Sequence, residues 1–197
     1  MKTKTHITAV SLALSLFLSA GQFRVQALEE KQGSDPMTES LKPLKGKEFE
    51  VMFLKQMIHH HQMAVEMAEL ATKNTKRAEL NQLGKEIISA QKVEIAKMTG
   101  WLKSWHGEGP GGSKEQMPGM EKMMKEMEML KAAKDADFDK MFLAHMINHH
   151  QGAVDMAKLV DGRSDRAELK QLASNIIKDQ RKEIEQMNSW EKAWFKK

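Results

Sequence analysis

Apolar residues recur at spacings of three and four from Phe49 onward. Phe49, Phe53, Met57, Ala64, Ala68 and Ala71 form one stripe, with Leu54, Ile58 and Val65 beside it. That period belongs to a helix, and the stripe is too broad and too long for a strand. "TKNT" (72–75) interrupts it, with Thr75 expected as an N-cap and Glu79 in the following turn. A second helical run then carries Leu80, Leu83, Ile87, Val93, Ile95 and Met98 up to Trp101 and Trp105.

The same pattern is written twice. Aligning 48–105 with 137–194 at a constant offset of 89 needs no gap, and 29 of 58 pairs are identical. "MIHHHQMAVEMA" from Met57 pairs with "MINHHQGAVDMA" from Met146, and "RAEL" occurs in both copies, while "DGRS" (161–164) repeats the break with Ser164 and Glu168 in the capping roles. Each copy reads as a helical hairpin with helices of about 25 to 30 residues, roughly 40 Å long. Two hairpins that bury one face against each other predict an all-α fold, a ferritin-like four-helix bundle with an approximate internal two-fold axis.

The remaining segments divide the chain further. Residues 106–136 join a Gly- and Pro-rich linker to a Met-rich stretch expected to be helical, and 28–47, with Pro36 and Pro43, reads as a loose lead-in with few fixed contacts. The expected organisation is thus a leader at 1–27, the lead-in at 28–47, hairpin one at 48–105, the insert at 106–136 and hairpin two at 137–197, with both hairpins in one bundle.

Charge enters through the leader. Lys2 and Lys4 precede an apolar run from Ile7 to Ala20 and a small-residue exit at Ala27, the pattern of a removable secretory signal. The run is too short for an ordinary spanning helix, so the mature chain is expected to be periplasmic or secreted, with no membrane span. Removing 1–27 leaves 28 basic against 27 acidic side chains, a formal charge of +1. A nucleic-acid partner therefore loses its main support.

Cysteine is absent and there are 17 Met but no Tyr. No disulfide framework and no thiolate metal site can form, so soft-metal chemistry would fall to thioether sulfur. Histidine supplies the other half of such chemistry. His60 and His61, and His149 and His150 in the second copy, lie within the apolar stripe or at its edge. On a helix, Met57 can meet His61, Met63 can meet His59 and Met67, and His145 can meet Met141 and His149.

Met146 and Met156 repeat Met57 and Met67. Bundle symmetry could bring the two His-His steps together, pooling imidazole with thioether, a donor set that favours Cu(I) and its soft analogue Ag(I), with Cu(II) also accessible. The carboxylates show no arrangement in sequence that would help such a site. Buried histidines that are merely hydrogen-bonded, among gap-filling methionines, are the plainer alternative.

Met117, Met120, Met123, Met124, Met127 and Met129 offer either a second soft-metal patch or an amphipathic packing face. The tryptophans at matching helix ends, Trp101 with Trp105 and Trp190 with Trp194, suit core closure. Glu66, Asp155, Arg77 and Arg166 read as surface or hairpin-closing polar groups of small energetic weight.

Catalytic classes find little support. Di-iron oxidase chemistry needs Glu-x-x-His steps, and none occurs in the chain. Multicopper oxidases need cysteine and a β architecture. A metal-binding protein that is not an enzyme is expected. An exported interaction module docking by its Met-rich face, or a zinc or nickel buffer, are the alternatives.

The repeated "HHQ-x-A-V-[ED]-M-A" phrase, the preceding "FL-x-x-MI", "RAEL" and the Trp-rich helix ends resemble a bacterial family known as a domain of unknown function with a ferritin-like fold. The leader, the duplication and the Met-rich insert resemble in particular its CopM-type members, periplasmic copper-binding proteins of cyanobacteria. The resemblance implies a copper-resistance role, Cu(I) held outside the cytoplasm, and a copper efflux or sensor component as partner. Carried over by motif, the implied ligands are His60, His61, Met57 and Met67 in one copy and His149, His150, Met146 and Met156 in the other. The copies depart at His59, which is Asn148 in the second, and at Met63, which is Gly152.

Overall fold

Asp35 caps a short helix, α1 (Pro36–Leu41), accepting a hydrogen bond from the Thr38 N–H at 3.0 Å, while Pro36 occupies the first turn, where its missing N–H costs nothing. Met37 and Leu41 are fully buried. The expected loose lead-in is therefore corrected over its described part: this segment is docked, because Asp-Pro here starts a helix. The computed structural model describes residues 35–111 and 117–196. The expected leader, residues 28–34 of the lead-in and 112–116 of the linker lie outside the described residues.

Two long hairpins follow. The first consists of α2 (Gly46–Asn74) and α3 (Ala78–His106); α4 (Met120–Ala132) covers the expected Met-rich helix; α5 (Asp135–Lys158) and α6 (Ala167–Phe195) form the second. Among the described residues the fold is all-α with six helices. Within each hairpin the partners pack along their length, the hairpins meet through α2 and α5, and α1 and α4 each lodge against both of these central helices. The core sits between them, with Phe49, Phe53, Phe138 and Phe142 fully buried and each pair stacked along its own helix, at 5.6 and 6.3 Å between ring centroids.

The duplication extends beyond the aligned segments. Leu41 and Leu130 are both fully buried, and Gly46 and Asp135 both take the left-handed backbone, with φ of 55° and 48°, just before their helices continue. Asp is among the few residues that tolerate this region beside Gly.

The hairpin breaks are built differently from expectation. Thr75 and Ser164 are not the N-caps; Arg77 and Arg166 hold that position. The hydroxyls instead accept from the Arg77 N–H (3.1 Å) and the Arg166 N–H (3.2 Å), turning the chain one step earlier.

The arginines then cross to the opposite hairpin. Arg166 Nε donates to Glu50 at 2.8 Å with its guanidinium 4.2 Å above the Trp105 ring, and Arg77 pairs with Asp139 at 3.3 Å with its guanidinium 4.1 Å above Trp194. Each acid is nearly buried, so these pairs fasten hairpin to hairpin rather than closing a hairpin or decorating the surface. Asp155 serves only its own helix, accepting from Gln151 and Lys158.

Candidate metal centre

The centre of the α2–α5 contact is occupied by imidazole. His60 and His149 occupy equivalent positions in the two repeats, and their rings meet with centroids 3.7 Å apart at 38° between planes. His61 and His150 flank them, each 6.4 Å from its chain neighbour. His60, His61 and His150 are almost wholly enclosed. This follows from sequence: two adjacent histidines on a helix lie about 100° apart, so one can face the partner helix while the other faces the hairpin partner.

The outward members each find a carboxylate. His61 Nε2 lies 2.9 Å from Glu94 Oε2 on α3, and His150 Nε2 lies 2.6 Å from Glu183 Oε2 on α6. The sequence reading did not single out these two carboxylates. A signal was available: Gln91 and Glu94 recur unchanged as Gln180 and Glu183, in a stretch whose other polar positions diverge.

Several polar atoms at this centre have no protein partner. They include Nδ1 of His60, His61 and His150 and both ring nitrogens of His149, with the Gln91 and Gln180 carbonyl oxygens one turn before each glutamate. An orphaned buried acceptor or donor ordinarily costs about 1–3 kcal/mol unless a water or a bound group partners it. Burial pushes the His60 imidazole well below its ordinary pKa, and the nearby charges of His61 and His150 push the same way. Burial does the same for His149, assisted by His60, His150 and His61. Both rings are therefore neutral near pH 7, with lone pairs available.

Buried methionines occur on the same two helices as this set. Met57 and Met146 are fully buried one turn before their histidine pairs, and Met67 and Met156 are buried one to two turns after. Met63 is buried too, whereas its counterpart Gly152 leaves room for histidine: a Cβ there would stand 3.3 Å from His60 Nε2 and 3.9 Å from the Asp35 carboxylate. The asymmetry between copies has a steric basis. Among the described residues no three His, Cys, Asp or Glu side chains group to hold a metal ion.

Other candidates fall outside the centre. His59 is engaged elsewhere, with Nδ1 3.2 Å from the Gln62 carbonyl oxygen and Nε2 3.1 Å from the Gly111 carbonyl of the linker. His145 faces α4, its Nδ1 3.7 Å from Glu126, an ion-pair separation too long for a hydrogen bond. Met141, equivalent to Met52, is half-buried on the same helix. On α4, Met120 and Met127 are buried in the core, Met123 is half-buried at its edge, and Met124 and Met129 are exposed; Met117, just before the helix, is half-buried. The α4 methionines are therefore divided, part packing face and part solvent-facing.

A duplicated helical-hairpin bundle with paired histidines meeting between its repeats and buried methionines on the same helices defines the class of fold. The chain belongs to the family described as Domain of unknown function (DUF305), whose profile matches residues 19–92 and again 50–191.

Solved structures agree. CopM in its Cu(I)-bound form superposes with a TM-score of 0.65 at 33% identity, covering 74% of this chain and 97% of that one. CopM in its Ag-bound form matches at 0.64 and 32% identity, with 74% and 96% covered. A DUF305 protein from Streptomyces coelicolor matches at 0.60 and 30% identity, over 68% of this chain and 86% of that one. An uncharacterized protein of Acanthamoeba polyphaga mimivirus is 45% identical over 51 residues, 26% of this chain and 34% of that protein. Among the described residues no helix is long and apolar enough to cross a membrane.

Proposed function

We propose that this is an exported copper-binding protein that sequesters or carries Cu(I), with Cu(II) and Ag(I) as further cargo, and so contributes to copper resistance. The observation that carries this reading is the contact of His60 with His149 at 3.7 Å, flanked by His61 and His150, with unpartnered ring nitrogens in a core that also buries Met57, Met67, Met146 and Met156. Thioether beside neutral imidazole favours a soft monovalent ion. The likeness to CopM, solved with Cu(I), Cu(II) and Ag bound, supports the same ion class.

The ligands proposed are His60, His61, His149 and His150 with Met57, Met146, Met67 and Met156. Met63 is a further candidate ligand, and Met117, Met120, Met123, Met124, Met127 and Met129 are a candidate second soft-metal patch. The protein's role is to hold and transfer the ion without catalysis, with a copper efflux or sensor component as its partner. The leader pattern at 1–27 supports export.

The test is an anaerobic Cu(I) titration against a colorimetric chelator, comparing wild type with H60L/H61L/H149L/H150L. Wild type should withdraw copper and the folded variant should not. Equal competition by both would remove the histidines from the site. Retained Zn(II) or Ni(II) binding without Cu(I) binding would replace copper by a borderline metal.

A further inference from the structure

The doubled His–Glu contact is not explained by core packing alone. A carboxylate can only accept, so contacts of 2.9 Å (His61–Glu94) and 2.6 Å (His150–Glu183) put the proton on Nε2 in both rings. In the neutral imidazole Nδ1 is then a bare lone pair. Both Nδ1 atoms are buried without a partner, and both rings are fully enclosed. The carboxylates are not: Glu94 and Glu183 keep 18% and 20% of their side-chain surface in solvent. The charge thus stays at the hydrated rim of the hairpin while the ring it holds points a single nitrogen inward. A purely structural hydrogen bond would account for Nε2 and leave Nδ1 unexplained, twice, at equivalent positions.

We propose that Glu94 and Glu183 are positioning residues for the ion: each fixes its histidine by the Nε2–H, so that Nδ1 of His61 and of His150 is the ligand atom. This rests on the copper reading above. Outer carboxylates of this kind orient ligating imidazoles and raise their basicity, and their loss commonly weakens metal affinity about 10–100-fold. Here they also place negative charge behind the two rings, a direction complementary to a cation arriving on the far side. They would make Nδ1 ligation a property of the hairpin rather than of the ion.

The experiment uses the ¹⁵N-labelled protein and Ag(I), a silent stand-in for Cu(I), with long-range ¹H–¹⁵N spectra of the imidazoles. In the metal-free wild type His61 and His150 should show the Nε2–H tautomer, and Ag(I) should shift their Nδ1 resonances. E94L/E183L should mix the tautomers and weaken Ag(I) binding about 10–100-fold. E94Q/E183Q, whose amide oxygens still accept from Nε2–H, should stay within a few-fold of wild type. An Nδ1–H tautomer in the wild type, coordination through Nε2, or an E94L/E183L variant that binds like wild type would overturn the proposal. The wild-type spectra decide this even if a variant folds poorly. Failure of the wild type to take up Ag(I), with the Nε2–H tautomer still present, would instead overturn the copper reading and, with it, the ligand role of Nδ1.

Discussion

His60 and His149, 89 residues apart in sequence and equivalent in the two repeats, meet with ring centroids 3.7 Å apart and planes tilted by 38°. Three of their four ring nitrogens are buried without a partner. A core evolved only to be stable would place leucine at both positions. H60L/H149L should therefore raise the stability of the metal-free protein by about 1–2 kcal/mol, because replacing orphaned polar groups by apolar ones of similar size is neutral or favourable. The same variant should lose the rise in melting temperature that Cu(I) gives the wild type. Marked destabilisation in urea would mean that the rings are satisfied core residues.

The pH dependence has two windows. The His60 and His149 pKa values are depressed on folding, so their contribution is fully present above the unfolded value of 6.5 and is lost as pH falls toward the folded value. The expected slope is at most about 1.4 kcal/mol per pH unit for each ring. Glu50 acts lower down. Burial pushes its carboxyl up, but hydrogen bonds from Arg166 and Ser164 and the charges of Arg166 and His106 together hold it below 4.5. Its contribution is present above pH 4.5 and disappears as pH falls through the folded value. Urea midpoints between pH 7.5 and 4 should fall in both windows, and H60L/H149L should flatten only the upper one.

The crossed arginines should carry stability rather than binding. Replacing Arg166 by Ala leaves Glu50 nearly buried with Ser164 Oγ (2.7 Å) donating to it and His106 Nε2 3.2 Å away, and removes the guanidinium from Trp105. R166A should cost about 1–3 kcal/mol, the half-exposed guanidinium tempering the full price of a broken buried pair. R77A should act alike through Asp139. Chemical denaturation gives these values, and Ag(I) stoichiometry at saturation should be unchanged in both.

Sulfur can be separated from shape at Met57 and Met146. Leucine conserves volume there, so M57L/M146L should lose less than about 1.5 kcal/mol of stability. It should weaken Cu(I) and Ag(I) competition at least tenfold while leaving any imidazole-based Zn(II) binding in place. Unchanged Cu(I) affinity would assign the sulfur role to other methionines, Met67 and Met156 first.

The helices and the histidine pairing were legible because both follow from periodicity and repetition: a 3.6-residue stripe fixes α2 and α5, and a gapless repeat places equivalent residues about one axis. Glu94 and Glu183 were harder to see, since each meets its histidine 33 residues away, a distance that only the hairpin geometry closes. The crossed pairs of Arg77 and Arg166 depend on how the hairpins dock, which periodicity does not encode. Two prolines made α1 look like a loop, although Asp35 followed by Pro36 is a helix-start signal when apolar residues such as Met37 and Leu41 have a groove to fill. His59, where the copies depart, was still a candidate ligand by its place beside His60, but its ring is engaged by Gln62 and by the linker carbonyl of Gly111.

The most direct measurement is the position of copper itself, located by anomalous scattering at the copper edge in crystals of the Cu(I)-loaded protein. Copper should lie on the repeat axis within bonding distance of imidazole nitrogens from His60, His61, His149 or His150 and of a Met57 or Met146 sulfur. Copper found only on the exposed methionines of α4, with the His60–His149 contact unchanged, would contradict the proposed site.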